Sequence, residues 1–221
     1  MATYLVTGTN RGIGLEYCRQ LQQRGDRVIA VCRQPSDDLK SLKVQVESGI
    51  DITDDASVTD LTQRVQGITI DVLINNAGML DRVTLADLDI DSIRQQFEVN
   101  AIGPLRVTCA LLPNLTEGSK VVMMTSRMGS IGDNTSGGSY GYRMSKVALS
   151  MAGKSLAHDL KPKGIAVAIL HPGLVQTRMT GFTESGITPQ ESVQGLLARI
   201  DELNLENTGT FWHARGQVLP W

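Results

Sequence analysis

Short apolar runs recur along the chain and alternate with longer segments whose apolar positions repeat at helical spacing. Short apolar runs that end at glycine or a polar residue are typical of buried strands. They predict seven strands, at residues 3–7, 27–32, 46–50, 71–74, 120–125, 164–170 and 216–221. Helices are predicted near residues 15–24, 54–65, 91–112, 142–160 and 189–203. This alternation predicts a parallel seven-stranded sheet with helices on both faces, a doubly wound α/β fold.

Length and composition predict a single soluble domain that spans residues 1–221. Of the 221 residues, 41% are hydrophobic and 20% are charged, and the net charge is −2. A balance this close to neutrality argues against a nucleic-acid-binding surface. No apolar run approaches the roughly 18 residues that a membrane span requires, so no membrane partner is expected.

The three cysteines, Cys18, Cys32 and Cys109, are far apart and form no Cys-x-x-Cys pair. This pattern favours reduced thiols and excludes a cysteine zinc site. No histidine pair has metal-ligand spacing, so no metal site is predicted, and the isolated His171 is interpreted as structural. No basic and apolar leader precedes the first strand, and we therefore expect a cytoplasmic protein.

The first strand ends in a glycine-rich turn with the spacing Gly-x-x-x-Gly-x-Gly, formed by Gly8, Gly12 and Gly14. A strand, a glycine turn and a helix in this order predict a phosphate cradle, because the backbone approaches a pyrophosphate closely and the helix N-terminus faces its charge. A tight turn without a ligand is the alternative. The candidate dinucleotide contacts are Gly8, Asn10, Arg11, Gly12, Ile13 and Gly14.

The second strand is followed by Arg33, where a dinucleotide fold meets the adenine ribose. An acid at this point would hold a 2′-hydroxyl, whereas an arginine suits a 2′-phosphate. Arg11 in the glycine turn is a second candidate, because two guanidinium groups can clamp one phosphate. The sequence therefore favours NADP over NAD, unless both arginines are simply solvated.

Two later segments carry candidate polar contacts. Asp51, after the third strand, either accepts a hydrogen bond from an adenine amino group or caps the helix that starts near Asp54. The small residues after the fourth strand, Asn76, Ala77 and Gly78, let a cofactor lie against the backbone. Both segments are therefore candidate cofactor contacts.

The predicted helix at 91–112 contains Asn100, with Gly103 and Pro104 close behind it. Asparagine is a poor residue in the middle of a helix because its side chain competes for backbone hydrogen bonds. The combination predicts a local bend, kept either for function or as a tolerated defect.

The strongest candidate for chemistry is Tyr142, four residues before Lys146 and preceded by Ser126 at the end of the fifth strand. Side chains four apart lie on one helix face. A phenol has a pKa of about 10, and an ammonium group about 4 Å away could lower it toward neutrality. Such a pair could exchange a proton with an oxygen held by Ser126. The alternative is a tyrosine ring packed on a lysine stem.

Residues 174–187 are polar with two glycines, Gly181 and Gly186, and are predicted to form a substrate lid. The next helix has a clear start, with Thr188 as N-cap, Pro189 in the first turn and Glu191 completing a capping box.

The ordered set of these motifs resembles the short-chain dehydrogenase/reductase family over nearly the whole chain. The matching residues are Thr7, Gly8, Gly12, Gly14, Asp51, Ile52, 75–78, Asn100, Ser126, Tyr142, Lys146, Pro172, Gly173 and Thr177. Residues 126–134 and 219–221 are most similar to the small C-factor or Sniffer-type carbonyl reductases. The gap of sixteen residues between Ser126 and Tyr142 is longer than usual, and residues 134–139 are expected to hold the extra turn.

The resemblance implies a Rossmann fold and a role for each catalytic residue. Ser126 would bond the substrate carbonyl, Tyr142 would give it a proton, and Lys146 would bind the nicotinamide ribose and lower the tyrosine pKa. Asn100 would position a water that feeds protons to Lys146. Thr177 would hold the nicotinamide amide, with further cofactor contacts at Ile52, Ala77, Gly78, Pro172, Gly173 and Val175.

The function that follows is NADPH-dependent reduction of an aldehyde or ketone, a small-molecule carbonyl substrate. A cofactor-binding signalling protein of the C-factor type and a pteridine reductase are the alternatives. Family members dimerise through the helices near residues 97–112 and 142–160, so a homodimer is expected.

Overall fold

The computed structural model describes residues 1–221 and contains one seven-stranded, entirely parallel sheet. The strands are β1 (Thr3–Thr7), β2 (Arg27–Cys32), β3 (Gln45–Ser48), β4 (Val72–Asn75), β5 (Lys120–Met124), β6 (Ala166–His171) and β7 (Phe211–His213). Their spatial order is β3-β2-β1-β4-β5-β6-β7. The strand order reverses between β1 and β4, and the carboxyl ends of parallel strands at such a point form a crevice where ligands bind.

Helices cover both faces of the sheet, as the sequence predicted. They are α1 (Gly12–Gln23), α2 (Asp37–Lys40), α3 (Asp55–Arg64), α4 (Ile90–Phe97), α5 (Gly103–Ala110), α6 (Tyr140–Leu160) and α7 (Pro189–Glu202). Only the short α2 was not anticipated. None of the helices is both long enough and apolar enough to cross a membrane.

Two apolar cores, one on each face, hold the layers together. Side chains alternate across the strands, so that Leu5 enters one core while Tyr4 and Val6 enter the other. The first core buries residues of α3, α5 and α6, among them Leu61, Val107 and Leu149. The second buries residues of α1 and α7, among them Leu21 and Leu196. The doubly wound Rossmann fold is thereby confirmed.

The last strand is not where the sequence predicted it. The seventh strand is Phe211–His213, and residues 216–221 instead fold back along it. Gly216 has φ 93°, which permits the reversal, and the Leu219 amide then donates to the Phe211 carbonyl at 2.8 Å. The prediction failed because a three-residue strand is too short for its alternation to be recognised.

The predicted helix at 91–112 is divided into three parts. Between α4 and α5, residues Glu98–Ile102 form a π-helical turn that contains Asn100. A π-helical turn therefore stands where the sequence predicted a local bend. Wide turns of this kind occur often at functional sites.

Candidate active site

The glycine turn after β1 packs against the residues that follow β4. Gly8 and Gly12 have φ of 72° and 57°, and a Cβ added at Gly8 would lie 2.7 Å from the Cα of Ala77. The Asn76 side chain fixes this approach by donating to the carbonyl oxygens of Thr7 and Gly8 at 3.0 and 3.2 Å. Only glycine allows two backbone segments to meet this closely.

The N-terminus of α1 presents free backbone donors in this turn. No side chain caps it, its N-cap Arg11 is exposed, and no acidic residue lies in its first turn. The orphan N–H groups and the helix dipole favour an anion here. The turn lies close to the start of the predicted lid, since a Cβ at Gly12 would lie 3.5 Å from the Thr177 methyl group. These features fit the pyrophosphate of a dinucleotide.

Asp51 makes an ion pair with Arg33 at 3.8 Å, and the Arg33 side chain is 77% exposed. One Asp51 oxygen accepts hydrogen bonds from the amide and hydroxyl of Thr53, and these bonds, helped by Arg33, lower the Asp51 pKa. The alternative that Asp51 caps the next helix is wrong, because Asp54 accepts the hydrogen bond from Ser57 there. The other Asp51 oxygen is therefore left to face the Arg33 guanidinium.

A cleft of about 360 Å³ opens beside this ion pair. Its second wall consists of residues that the sequence did not single out, Arg94, Gln95, Glu98 and Val99. They come from α4 and the π-helical turn, in which Asn100 is the only residue that belongs to a recognised motif. These residues are distant in sequence from Arg33 and Asp51, and only the tertiary structure brings them to one cleft.

Ser126, Tyr142, Lys146 and Asn100 are all buried. Ser126 follows β5, and the short 3₁₀ turn Arg127–Gly129 after it packs directly on α6, since a Cβ at Gly129 would lie 2.8 Å from the Lys146 carbonyl carbon. The Lys146 ammonium lies 5.8 Å from the centre of the Tyr142 ring. β5 and α6 thus bring these residues together at the carboxyl ends of the strands.

The pKa of Tyr142 differs from the sequence-based expectation. Burial raises the pKa of this phenol, and interaction with the Ser126 hydroxyl lowers it only in part. The Lys146 ammonium donates to the Met124 carbonyl at 2.8 Å and makes no hydrogen bond to the phenol oxygen. The phenol is therefore held in its protonated form, which suits a proton donor.

Burial lowers the pKa of Lys146 to about 8. A Cβ added at Gly78 would lie 3.2 Å from the Asn100 Oδ1 and 3.6 Å from the Lys146 Nζ. Three separate segments, the β4 end, the π-helical turn and α6, therefore meet around the lysine. The pKa of a buried ammonium of this kind can change strongly when another charge lies nearby.

The Asn100 side chain is fully engaged within the protein. Its Oδ1 accepts from the Met79 amide, and its Nδ2 donates to the Met79 carbonyl and to the Ser145 hydroxyl, at 2.8, 2.8 and 3.0 Å. The π-helical turn is thus bonded both to the segment after β4 and to α6. Asn100 therefore holds the segment after β4 at a fixed distance from α6, and its amide has no free donor for a ligand.

The segment after β6 leads from the carboxyl end of the sheet to the predicted lid. Ser192 on α7 donates to the Pro172 carbonyl at 2.7 Å, Gly173 has φ 87°, and Val175 is buried. Residues 174–187, the predicted lid, contain the 3₁₀ turn Arg178–Thr180 and a parallel bridge between Val175 and Ile187. Of the remaining predicted cofactor residues, Ile13 and Ile52 lie in or against the apolar cores.

His171, interpreted as structural, packs edge to face on His213 of β7 with ring centres 5.0 Å apart. Burial, with His213 and Arg127 nearby, lowers its pKa to about 3. No group of three or more His, Cys, Asp or Glu side chains is arranged to hold a metal ion.

This fold and this set of buried side chains define a class of oxidoreductase. A family model described as short chain dehydrogenase matches residues 2–187, so the chain belongs to the short-chain dehydrogenase family. The 1-hydroxy-2-glutathionyl-2-methyl-3-butene dehydrogenase of Rhodococcus sp. (strain AD45) is 43% identical, and the alignment covers 100% of both chains. The C-signal protein of Myxococcus xanthus is 48% identical over 69% of this chain and 93% of its own length.

Solved structures agree with this assignment. The NADPH-bound carbonyl reductase from chicken fatty liver has a TM-score of 0.90 and 30% identity, covering 100% of this chain and 99% of that one. The carbonyl reductase Sniffer of D. melanogaster has a TM-score of 0.90 and 28% identity, covering 100% of both chains. The resemblance stated from the sequence is confirmed.

Proposed function

We propose that this protein is an NADP(H)-dependent reductase that converts an aldehyde or ketone to an alcohol. The observation that carries the proposal is the convergence of Ser126, Tyr142 and Lys146 beside an uncapped glycine turn, at the point where the strand order reverses. The chicken enzyme with the same fold has NADPH bound, which supports the choice of cofactor.

Each residue has a role that its position supports. Ser126 donates a hydrogen bond to the substrate carbonyl oxygen. Tyr142, protonated because it is buried, gives its proton to that oxygen. Lys146 binds the nicotinamide ribose, and its positive charge then stabilises the phenolate. The cofactor, when bound, supplies the hydride.

Asn100 contributes through its place in the π-helical turn. Its side chain is already bonded to Met79 and Ser145, so it has no free amide donor for a water. A water that feeds protons to Lys146 would therefore not be held by the Asn100 amide donors. This refines the role that the family resemblance implies.

The proposal is tested by replacing Tyr142 with phenylalanine. Removal of the proton donor should lower kcat at least about 100-fold for every carbonyl substrate, while NADPH binding is retained. Tyr140→Phe, which removes a phenol two residues earlier, is the matched control and should keep its activity. Unchanged turnover by Tyr142→Phe would refute the assignment.

Cofactor preference is tested at Arg33. Arg33→Asp should raise the Kd for NADPH far more than the Kd for NADH, because only NADPH carries a 2′-phosphate. Arg94→Asp, on the opposite wall of the same cleft, is the control and should change the two affinities by a similar factor. Equal effects of Arg33→Asp on both cofactors would show that Arg33 does not contact the phosphate.

Two relatives each support an alternative function. The likeness to C-signal favours a cofactor-binding signalling role, and the likeness to the Rhodococcus dehydrogenase favours alcohol oxidation by the same residues in reverse. A panel of aldehydes, ketones, quinones and dihydropteridines with NADPH, and of alcohols with NADP⁺, distinguishes these cases. Tight cofactor binding without turnover of any compound would favour the signalling role.

A further inference from the structure

Three consecutive residues immediately before α6 have left-handed backbone conformation. Gly137, Gly138 and Ser139 have φ of 64°, 66° and 46°. Left-handed residues normally occur singly, and only glycine adopts this conformation without a steric penalty. Ser139 therefore stores strain three residues before Tyr142. Strain of this kind persists only where surrounding contacts maintain it.

One guanidinium maintains much of this turn. Arg143 on α6 donates from Nε to the Gly137 carbonyl at 3.1 Å and from Nη2 to the Ser136 hydroxyl at 2.9 Å. Asn134 accepts from the Gly137 amide at 3.1 Å on the other side. Arg143 makes no ion pair, so its donors serve backbone and hydroxyl acceptors of this loop alone.

The same guanidinium reaches the turn that carries the proposed catalytic serine. Its Nη1 donates to the Met128 carbonyl at 3.4 Å, and the Met128 amide donates to the Ser126 hydroxyl oxygen at 3.1 Å. Arg143 is thus bonded to both ends of the loop between Ser126 and Tyr142. This loop is the segment in which the chain is longer than its family pattern.

We propose that Arg143 is a positioning residue, which holds the Ser126 hydroxyl and the Tyr142 phenol in register by clamping the loop between them. The inference rests on the proposed reductase function. A planar guanidinium can serve three acceptors that lie in different directions, whereas a lysine ammonium offers a single point charge. The clamp allows a longer loop without loosening the two groups that it connects.

The first test is Arg143→Met, with Arg143→Lys as a milder variant in case the first does not fold. Both should lower kcat, by about 10- to 100-fold for Arg143→Met, because small displacements of reacting groups are costly. The Kd for NADPH should stay within about twofold of the wild type. Arg64→Met is the matched control, since Arg64 also donates to a backbone carbonyl and should leave kcat unchanged.

A rescue variant separates positioning from a general structural role. Ser139→Gly removes the steric penalty of the left-handed conformation. The turn then needs fewer of the Arg143 hydrogen bonds to keep its conformation. Added to Arg143→Met, it should recover kcat by at least about fivefold, which corresponds to the lower end of the cost of one left-handed residue. If Arg143 only stabilised the fold, adding Ser139→Gly to Arg143→Met would not recover kcat.

Hydrogen exchange gives a readout that does not depend on turnover. Peptides covering residues 130–142 should exchange faster in Arg143→Met and return toward wild-type rates in the double variant. If the wild type reduces no carbonyl, the proposed function fails, but exchange still decides the role of Arg143. Unchanged exchange, unchanged kcat in an active enzyme, or absence of rescue would each overturn the inference.

Discussion

At the scale of single residues, burial sets the protonation of the groups around the site. Tyr142 and Lys146 share a helix face, as their spacing predicted, but burial raises the pKa of the phenol and lowers that of the ammonium. Burial disfavours whichever form is charged. The Tyr142 phenol is therefore protonated. It lies beside Lys146, whose pKa of about 8 lets its charge change near neutral pH.

His171 makes a prediction about acid stability. Its pKa is lowered to about 3 by burial, whereas an unfolded histidine titrates near 6.5, so between these values only the unfolded chain binds the proton. Stability should therefore fall as pH decreases from 6.5 toward 3, by about 2 kcal/mol at pH 5 from this residue alone.

Denaturant unfolding of His171→Gln against the wild type, from pH 7 to pH 5, measures this contribution. The variant should lose less stability over that range, whatever its stability at pH 7. His158→Gln is the control and should follow the wild type. Parallel curves for His171→Gln and the wild type would contradict the burial argument.

At the scale of elements, the π-helical turn Glu98–Ile102 connects three parts of the site. Asn100 is fully buried and bonds Met79 and Ser145. Asn100→Ala would leave these partners unsatisfied, which should lower the free energy of unfolding by about 3 kcal/mol. Denaturant unfolding measures this loss, and turnover should fall with it because the turn no longer fixes the β4 end against α6.

Asn114 provides the matched control. It is also buried and donates to the carbonyls of Val65 and Ile68, both at 2.9 Å, but it lies at the amino end of the strands. Asn114→Ala should lose comparable stability while the folded enzyme keeps its turnover. Equal activity of the two folded variants would show that Asn100 is only structural.

At the scale of the whole molecule, α5 and α6 expose apolar side chains that a second copy of the chain would cover. Leu105, Met144 and Met151 are 37%, 47% and 66% exposed. Sedimentation should therefore give twice the chain mass of 23.9 kDa. Met151→Glu should shift the protein toward the monomer, whereas Val218→Glu, an exposed position outside these helices, should not. A monomeric wild type would contradict the prediction.

Most of the sheet can be predicted from the amino-acid sequence. Strands β1 and β2 have the predicted bounds, because apolar runs of five and six residues bounded by glycine and polar residues are typical of buried strands. The motif order also identified the family, since short spacings around glycine turns and the Tyr142 helix are local properties. Strand β7 was misplaced because three residues carry too little pattern.

The way in which separate segments combine became visible only in the folded chain. The protonation of Tyr142, the pairing of Asp51 with Arg33, the second wall of the cleft and the contacts of Arg143 each depend on residues distant in sequence. Periodicity and spacing predict the type of a single element and which of its residues share a face. Desolvation and hydrogen bonding depend on what the packed neighbours remove or supply, which no local pattern encodes.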